Sequence, residues 1–442
     1  MKKFLTLLLG ILMVFSLAAC SKEANDPPKD ENPVSDTKEE VTLKISMWGD
    51  ESRKERYLTM LEPFCAENNC KVEIELIALS EYYTKLAAQF GAGTAPDVIW
   101  VADGNDATFI QAGRVADLYD TLSSDPGYDL GDFYESAIYQ TDYKDEGKIY
   151  GVPFSFGARP IYYNKTLFEN AGLKTPREYF EEGAWTYDVM FDLAREIYKY
   201  DSTKIGLKLW CVGQTENILQ MFADMLPAYG ASILSADSTE FTWNSEGGIE
   251  VFNKVFNAMK DGSHAQPGDD IAFVSGNVAM ARETYSYMSM LANETLDFEW
   301  DIVPQPVGPL GDAAPLYTGY AFWTVNDDSA NKQLAMDLVK FVSNPENQLA
   351  FCKTFLVPRS SVMNSKEVTD LGNGYPSPET IKECFVTPVE IHGLWTDTGT
   401  AGMAQLMQAL LENTQLIWAD AVSVEDGMAM MKEAVAPYLN EK

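Results

Sequence analysis

From Val41 onward, apolar and polar residues alternate. Val41, Leu43, Ile45 and Met47 interleave with Thr42, Lys44 and Ser46, the period-two mark of a strand, and Gly49 ends it just after Trp48. Tyr57, Leu58, Leu61 and Phe64 then recur at helical spacing, and Val72, Ile74 and Leu76 return to alternation. Ser80 is placed to cap a helix carrying Tyr83, Leu86, Ala87 and Phe90 on one face, broken by the run from Gly91 to Pro96. Val98 to Val101 is unbroken apolar, as in a strand buried on both faces. A helical turn from Thr108 to Gln111 stops at Gly113. Strand and helix in alternation predict an α/β domain with a parallel sheet covered on both faces. Ligands bind beyond the carboxyl ends of such strands, which singles out Trp48 and Asp103 by topology.

From Gly147 the signal changes. Ile149 to Phe156 carries Gly151 and Pro153 and reads as irregular and extended; Pro160 to Tyr163 reads as a strand, with Asn164 capping a short helix that ends at Gly172. Thr186 caps a helix bearing Val189, Met190, Leu193 and Ile197. Ile205 to Trp210, Val278 to Ala281, Ile302-Val303 and Tyr320 to Val325 are further strands. Helices are expected over Thr215 to Leu226, over Gly247 to Lys260, after Ser329 and after Asn344-Pro345. Beyond Ala401 the chain reads as helical, with Ser423 capping the last helix.

The 442 residues suggest two to four domains at roughly 100–200 residues each. With 46% apolar and 22% charged residues the composition is that of a globular chain. Thirty-three basic residues against 66 acidic ones leave a formal charge of −33, which argues against nucleic acid as a partner. With only two histidines, His264 and His392, a His-based metal site or a Ser-His-Asp triad has little to draw on.

The first 20 residues read as a signal peptide. Lys2 and Lys3 precede an apolar stretch from Phe4 to Leu17 that is short for a membrane span. Leu17-Ala18-Ala19-Cys20 resembles a bacterial lipobox, whose cysteine is lipidated and becomes the mature N-terminus. Ser21 to Glu40 holds three prolines, ten charged residues and no aromatic, the composition of a disordered tether. The body is therefore expected to be leashed to the extracellular face of the cell membrane. Of the other cysteines, Cys65 and Cys70 could bridge a tight loop and Cys352 could meet Cys384, or all could be free thiols. The chain contains no G-x-S-x-G, P-loop or H-E-x-x-H motif. Neither a metal nor a cofactor is expected. Sixty-six acids leave paired carboxylates for glycoside hydrolysis open.

The order of several short runs carries a resemblance. They are Phe90 to Val98 (FGAGTAPDV), Ala112 to Leu118 (AGRVADL), Gly147 to Phe154 (GKIYGVPF), Ile161 to Lys165 (IYYNK), Phe273 to Met280 (FVSGNVAM) and Tyr317 to Tyr320 (YTGY). Together with the lipobox and tether they resemble the extracellular sugar-binding proteins of ABC importers, the class that includes maltose-binding protein. The resemblance implies a two-lobed periplasmic-binding-protein-like fold with a ligand cleft between the lobes. It places lobe 1 at 41–155 plus 325–390 and lobe 2 at 156–324 plus 391–442. Crossings are expected near Phe154 to Arg159, near Tyr317 to Trp323, and within 385–400. It further implies a non-enzymatic monomer that captures a carbohydrate, as an oligosaccharide, and delivers it to membrane permease subunits.

Two departures are visible. Where the family often has Gly followed by an aromatic after the strand near Met280, this chain has Arg282 to Tyr287, so the stacking ring could be Tyr285 or Tyr287. Where paired glycines are common before the crossing, only Gly319 stands, followed by Tyr320, so the pocket floor is expected to be narrower.

A sugar presents hydroxyls at its rim and C–H faces above and below, so its site needs flat rings and fixed polar groups. Two stacked rings and three charge-assisted hydrogen bonds sum to roughly 5–12 kcal/mol before ordering costs, against about 8 for micromolar binding. The candidates are Trp48, Asp103, Phe156, Arg159, Trp210, Glu283, Tyr285, Tyr320 and Trp395. Each has a plainer reading. Trp48 and Trp210 could fill the core, Asp103 could cap a helix, and Arg159 could pair with an acid. A surface-anchored glycosidase or lyase, and a receptor of the same fold for a peptide, polyamine or metal chelate, are the rival functions.

Overall fold

A computed structural model describes residues 40–102, 105–139, 147–210, 220–266, 268–269, 271–291, 294–352, 354–370, 375–392, 394–395 and 399–441. The signal peptide with Cys20, the tether before residue 40, Asp103 and Cys211 lie outside them.

Two sheets organise the chain. The first has the order β2-β1-β3-β10-β4, from β1 (Val41–Met47), β2 (Cys70–Leu76), β3 (Val98–Ala102), β4 (Val152–Phe156) and β10 (Tyr320–Val325). The second has the order β6-β7-β5-β8, from β5 (Ile161–Asn164), β6 (Ile205–Lys208), β7 (Val278–Arg282) and β8 (Trp300–Val303). A small parallel pair joins β9 (Leu316–Tyr317) to β11 (Leu394–Trp395). The two sheets give the two-lobed α/β architecture expected from the sequence. The parallel arrangement holds for β1, β2 and β3. It gives way at β10, which runs antiparallel to β3 and β4. The reason is topological: β10 arrives on a return crossing from the second sheet, not through a helical crossover within the first.

Helices form where the caps predict them. Helix α1 (Glu51–Asn68) starts at Asp50, whose carboxylate accepts from Arg53 N–H, and buries Tyr57, Leu61 and Phe64. Asn164, Thr186, Asn344 and Ser423 each accept a backbone N–H at a helix start. Helix α2 (Leu79–Ala92) departs from expectation: Ala78 precedes it, so Ser80 lies inside its first turn. Its buried face is Tyr82, Leu86 and Phe90. Tyr82 takes the inward position because its hydroxyl bonds Ser46 and accepts the Trp100 N–H at 3.1 Å. The stretch Ile149 to Phe156 is irregular up to Gly151 and becomes a strand, β4, only from Val152. Pro153, which has no N–H, sits where the register with β10 shifts between Ala321 and Phe322. At Gly151 a Cβ would come within 2.9 Å of Thr324.

The helices after β10 divide their loyalties. Phe156 N–H donates to Leu356 O at 3.1 Å and Gln348 Nε2 to Pro153 O at 3.0 Å, tying this stretch to the first sheet. Further on, Glu383 pairs with Arg177 Nη1 at 2.6 Å, and Arg177 Nη2 donates to Ile302 O of β8. A buried cluster consequently mixes Phe156, Tyr320 and Phe322 with Tyr162, Ala281 and Ile302. The last helices, Met403–Trp418 and Val424–Val435, pack into the second sheet's core through Leu406, Leu410 and Met431. Among the described residues no helix is long and apolar enough to cross a membrane.

Candidate functional site

Three chain segments connect the sheets, and the structure sets them side by side. The first is Gly157–Pro160, between β4 and β5. Its Gly157 N–H donates to Thr318 Oγ1 at 2.9 Å, and Thr318 is fully buried on the second segment. Phe156 is the register partner of Tyr320. The third segment is β11, whose Leu394 and Trp395 pair with Leu316 and Tyr317. The regions read as crossings in the sequence thus meet in one hydrogen-bonded band. A void of about 10 Å³ is left among Gly157, Arg159, Gln305, Leu316 and Tyr317, room for about one water.

The carboxyl edge of the second sheet carries charge in a buried setting. Arg159 Nη1 meets Asp224 Oδ1 at 2.8 Å, and Arg282 Nη1 meets Asp224 Oδ2 at 2.9 Å. All three side chains are at most 6% exposed. Glu283 and Lys208 are also buried at strand ends of this sheet. The Glu283 N–H donates to Pro160 O at 3.3 Å, and Gln305 Nε2 donates to Arg159 O at 3.0 Å, so this cluster is fastened to the first crossing. Isolated charges at such depth would cost several kcal/mol each, and their mutual contacts are what make the burial tolerable. Arg159 therefore sits in the crossing, as expected, and is held there by an acid.

Trp210 follows β6 and is fully buried. Its ring lies 5.5 Å from that of His264, and among the described residues its indole N–H has no hydrogen-bond partner. Burial pushes His264 down to about 4, so it is neutral at physiological pH, with Nδ1 donating to Ala265 O.

At the carboxyl end of β1 in the first sheet, Trp48 is half-buried. Its ring stands edge-on to Tyr82 and to Trp100, both at 5.2 Å. Beside it, Tyr83 Oη accepts the Ala102 N–H at 3.0 Å at the end of β3. This is a partly accessible aromatic surface where the topology predicts ligand.

The remaining candidates are deeper. Tyr285 is 3% exposed; its hydroxyl donates to Val368 O at 2.7 Å and its ring stands edge-on to Phe385. Tyr320 Oη bonds Ser136 Oγ at 3.0 Å, and Phe156 lies against Tyr134. Asp103 falls outside the described residues, and Trp395 is placed by its backbone alone. Sequence reasoning missed Asp224, Lys208, Arg282 and Tyr83. A signal existed for three of them: a single charge inside or at the end of an apolar run, as in MFADML, GLKLW and VAMAR. Among the described residues no group of three or more His, Cys, Asp or Glu side chains could hold a metal ion. A surface hollow of about 560 Å³ between Asn244, Ile249, Met428 and Lys432 includes none of the candidates.

The family model for bacterial extracellular solute-binding proteins matches residues 59–373. A maltodextrin-binding protein of Bacillus subtilis (strain 168) is 24% identical over 378 residues, covering 83% of this chain and 82% of its own. A galactooligosaccharide-binding protein of the same organism is 22% identical over 435 residues, covering 92% and 95%. Among solved structures, an ABC substrate-binding protein from Listeria monocytogenes in complex with cycloalternan superposes with a TM-score of 0.74 at 20% identity, covering 90% of this chain and 98% of that one. With its two sheets, its band of crossings and a family match over most of its folded length, the chain belongs to the bacterial extracellular solute-binding proteins.

Proposed function

We propose that the protein is a lipid-anchored receptor that captures an oligosaccharide between its lobes and delivers it to the permease of an ABC importer. Lobe 1 is built on the first sheet, residues 41–155 with part of 325–390, and lobe 2 on the second sheet with the C-terminal helices. Cys20 carries the acyl chains, and residues 21–40 form the leash. The observation that carries the reading is the band of three hydrogen-bonded crossings between two sheets, each sheet presenting polar or aromatic groups at its strand ends. Such a band lets the lobes rotate as bodies, and a ligand touching both lobes favours the closed arrangement.

Trp48, backed by Tyr82 and Trp100, offers a stacking face from lobe 1. Trp210 and the charged edge around Arg159 and Glu283 serve lobe 2, and Asp103 and Trp395 are further candidates from the sequence. Tyr285, Tyr320 and Phe156 are the further aromatic candidates for the ligand. Sugar as cargo is supported by the maltodextrin- and galactooligosaccharide-binding relatives. Calorimetric titration of the full chain with maltodextrins and galactooligosaccharides, paired with small-angle scattering, tests the reading. Saturable binding with a fall in radius of gyration is expected. Binding of a peptide or polyamine in place of every sugar would overturn the carbohydrate assignment, and binding without compaction would overturn closure.

A further inference from the structure

Cys65 and Cys70 stand on either side of the turn that ends α1. The helix closes at Asn68, and Asn69 adopts a left-handed conformation (φ 49°, ψ 52°) with its N–H donating to Cys65 O. That turn reverses the chain, so Cys70, the first residue of β2, returns beside Cys65 instead of extending away from it. The two thiols lie near enough to influence each other's titration, with Cys70 in the core cluster of this sheet and Cys65 packed against it. Cys65 is partly buried and Cys70 buried. Neither is in a disulfide in this structure, and Cys352 and Cys384 are 0% and 3% exposed, beyond the reach of a dissolved oxidant.

We propose that Cys65 and Cys70 form a disulfide when the protein meets an oxidising disulfide pool. The family is extracellular, where such bonds persist. The oxidant is a small-molecule or protein disulfide. The thiolate of Cys65, the accessible member, attacks one sulfur of that disulfide, forming a mixed disulfide and releasing one thiol. The thiolate of Cys70 then attacks Cys65 Sγ, forming the internal bond and releasing the second thiol. Two protein thiols are oxidised and one external disulfide is reduced to two thiols. Burial, and then the hydrogen bond and charge of Cys65, hold the Cys70 thiol up at about 12. Capping Cys65 removes the second influence and eases the closing step.

The bond would sit at the edge of the first sheet, where β2 pairs with β1. Val41 pairs with Cys70 and donates its N–H to Asn69 O, and Glu40 pairs with Lys71. It would staple the end of α1 to the start of β2.

The full chain, reduced and then incubated with oxidised glutathione, is alkylated under denaturing conditions and digested with trypsin and a glutamate-specific protease. Glu67 lies between the two cysteines, so cleavage there separates them unless a disulfide joins them. The expected result is a Cys65–Cys70 linked pair of peptides, lost on reduction, with Cys352 and Cys384 alkylated. Cys70→Ser should instead retain one glutathione on Cys65. Full alkylation of both cysteines after oxidation, stable glutathione on Cys65 in the wild-type chain, or a bridge to another cysteine would each overturn the proposal.

Discussion

Replacing Asp224 with Asn tests the charged edge of the second sheet. The substitution keeps the side-chain volume, removes the charge that two guanidiniums contact at 2.8 and 2.9 Å, and turns an amide N–H₂ toward one of them. Removing one partner of a buried pair costs about 3–5 kcal/mol, because the surviving charge keeps its desolvation penalty. With an unfolding entropy of about 2.1 cal/mol/K per residue over roughly 400 folded residues, the melting midpoint should fall by about 4–6 °C. Differential scanning calorimetry measures the midpoint, and urea unfolding followed by circular dichroism gives the free energy independently. Arg159→Met should cost less, since Asp224 keeps Arg282. A midpoint for Asp224→Asn within about 1 °C of wild type, or a larger loss for Arg159→Met, would refute the view that Asp224 is the shared anchor of this cluster.

His264 gives a pH test. The folded state holds it neutral, with its pKa depressed from 6.5 to about 4, so its contribution is complete above 6.5 and is lost as pH falls through 4. Between pH 7 and pH 4 the wild type should lose about 3 kcal/mol more unfolding free energy than His264→Gln; parallel curves would contradict the assignment. At Gly206 a Cβ would stand 2.2 Å from Ala194 O, a backbone atom of the helix Tyr187–Tyr200. Gly206→Ala should therefore destabilise by about 3 kcal/mol in urea unfolding. Trp48→Ala should weaken saccharide binding about ten-fold in calorimetric titration, the loss of about 1.4 kcal/mol of ring contact. Unchanged affinity would move the stacking face elsewhere.

Local rules made much of this molecule readable. Strand β10 spans Tyr320–Val325 as its aromatic and β-branched run predicts, and the caps at Asn164, Thr186 and Ser423 start their helices as spacing demands. What escaped was set by distant partners. Tyr82 and Tyr83 have the same character and adjacent positions, and their separate partners on the first sheet, Ser46 and Trp100 for Tyr82 and Ala102 for Tyr83, are distant in sequence. Pro153 reads as a strand breaker until β10 supplies a register shift opposite it. Arg159 was legible as a crossing residue, but its acid lies 65 residues away. Tyr285 is a candidate through the family resemblance, and nothing local reveals that its hydroxyl donates to Val368 O.

The central claim, a sugar-capturing cleft, is tested most directly by a thermal-shift screen of the full chain. The panel holds oligosaccharides, with peptides and polyamines as controls, and each mixture is then analysed for chain-length change. A ligand at a hundred times its dissociation constant adds about 2.7 kcal/mol, a rise of about 3 °C for a body of this size. The account predicts such a rise with one class of oligosaccharide, recovered intact. A rise only with a control, or shortened products after incubation, would contradict it.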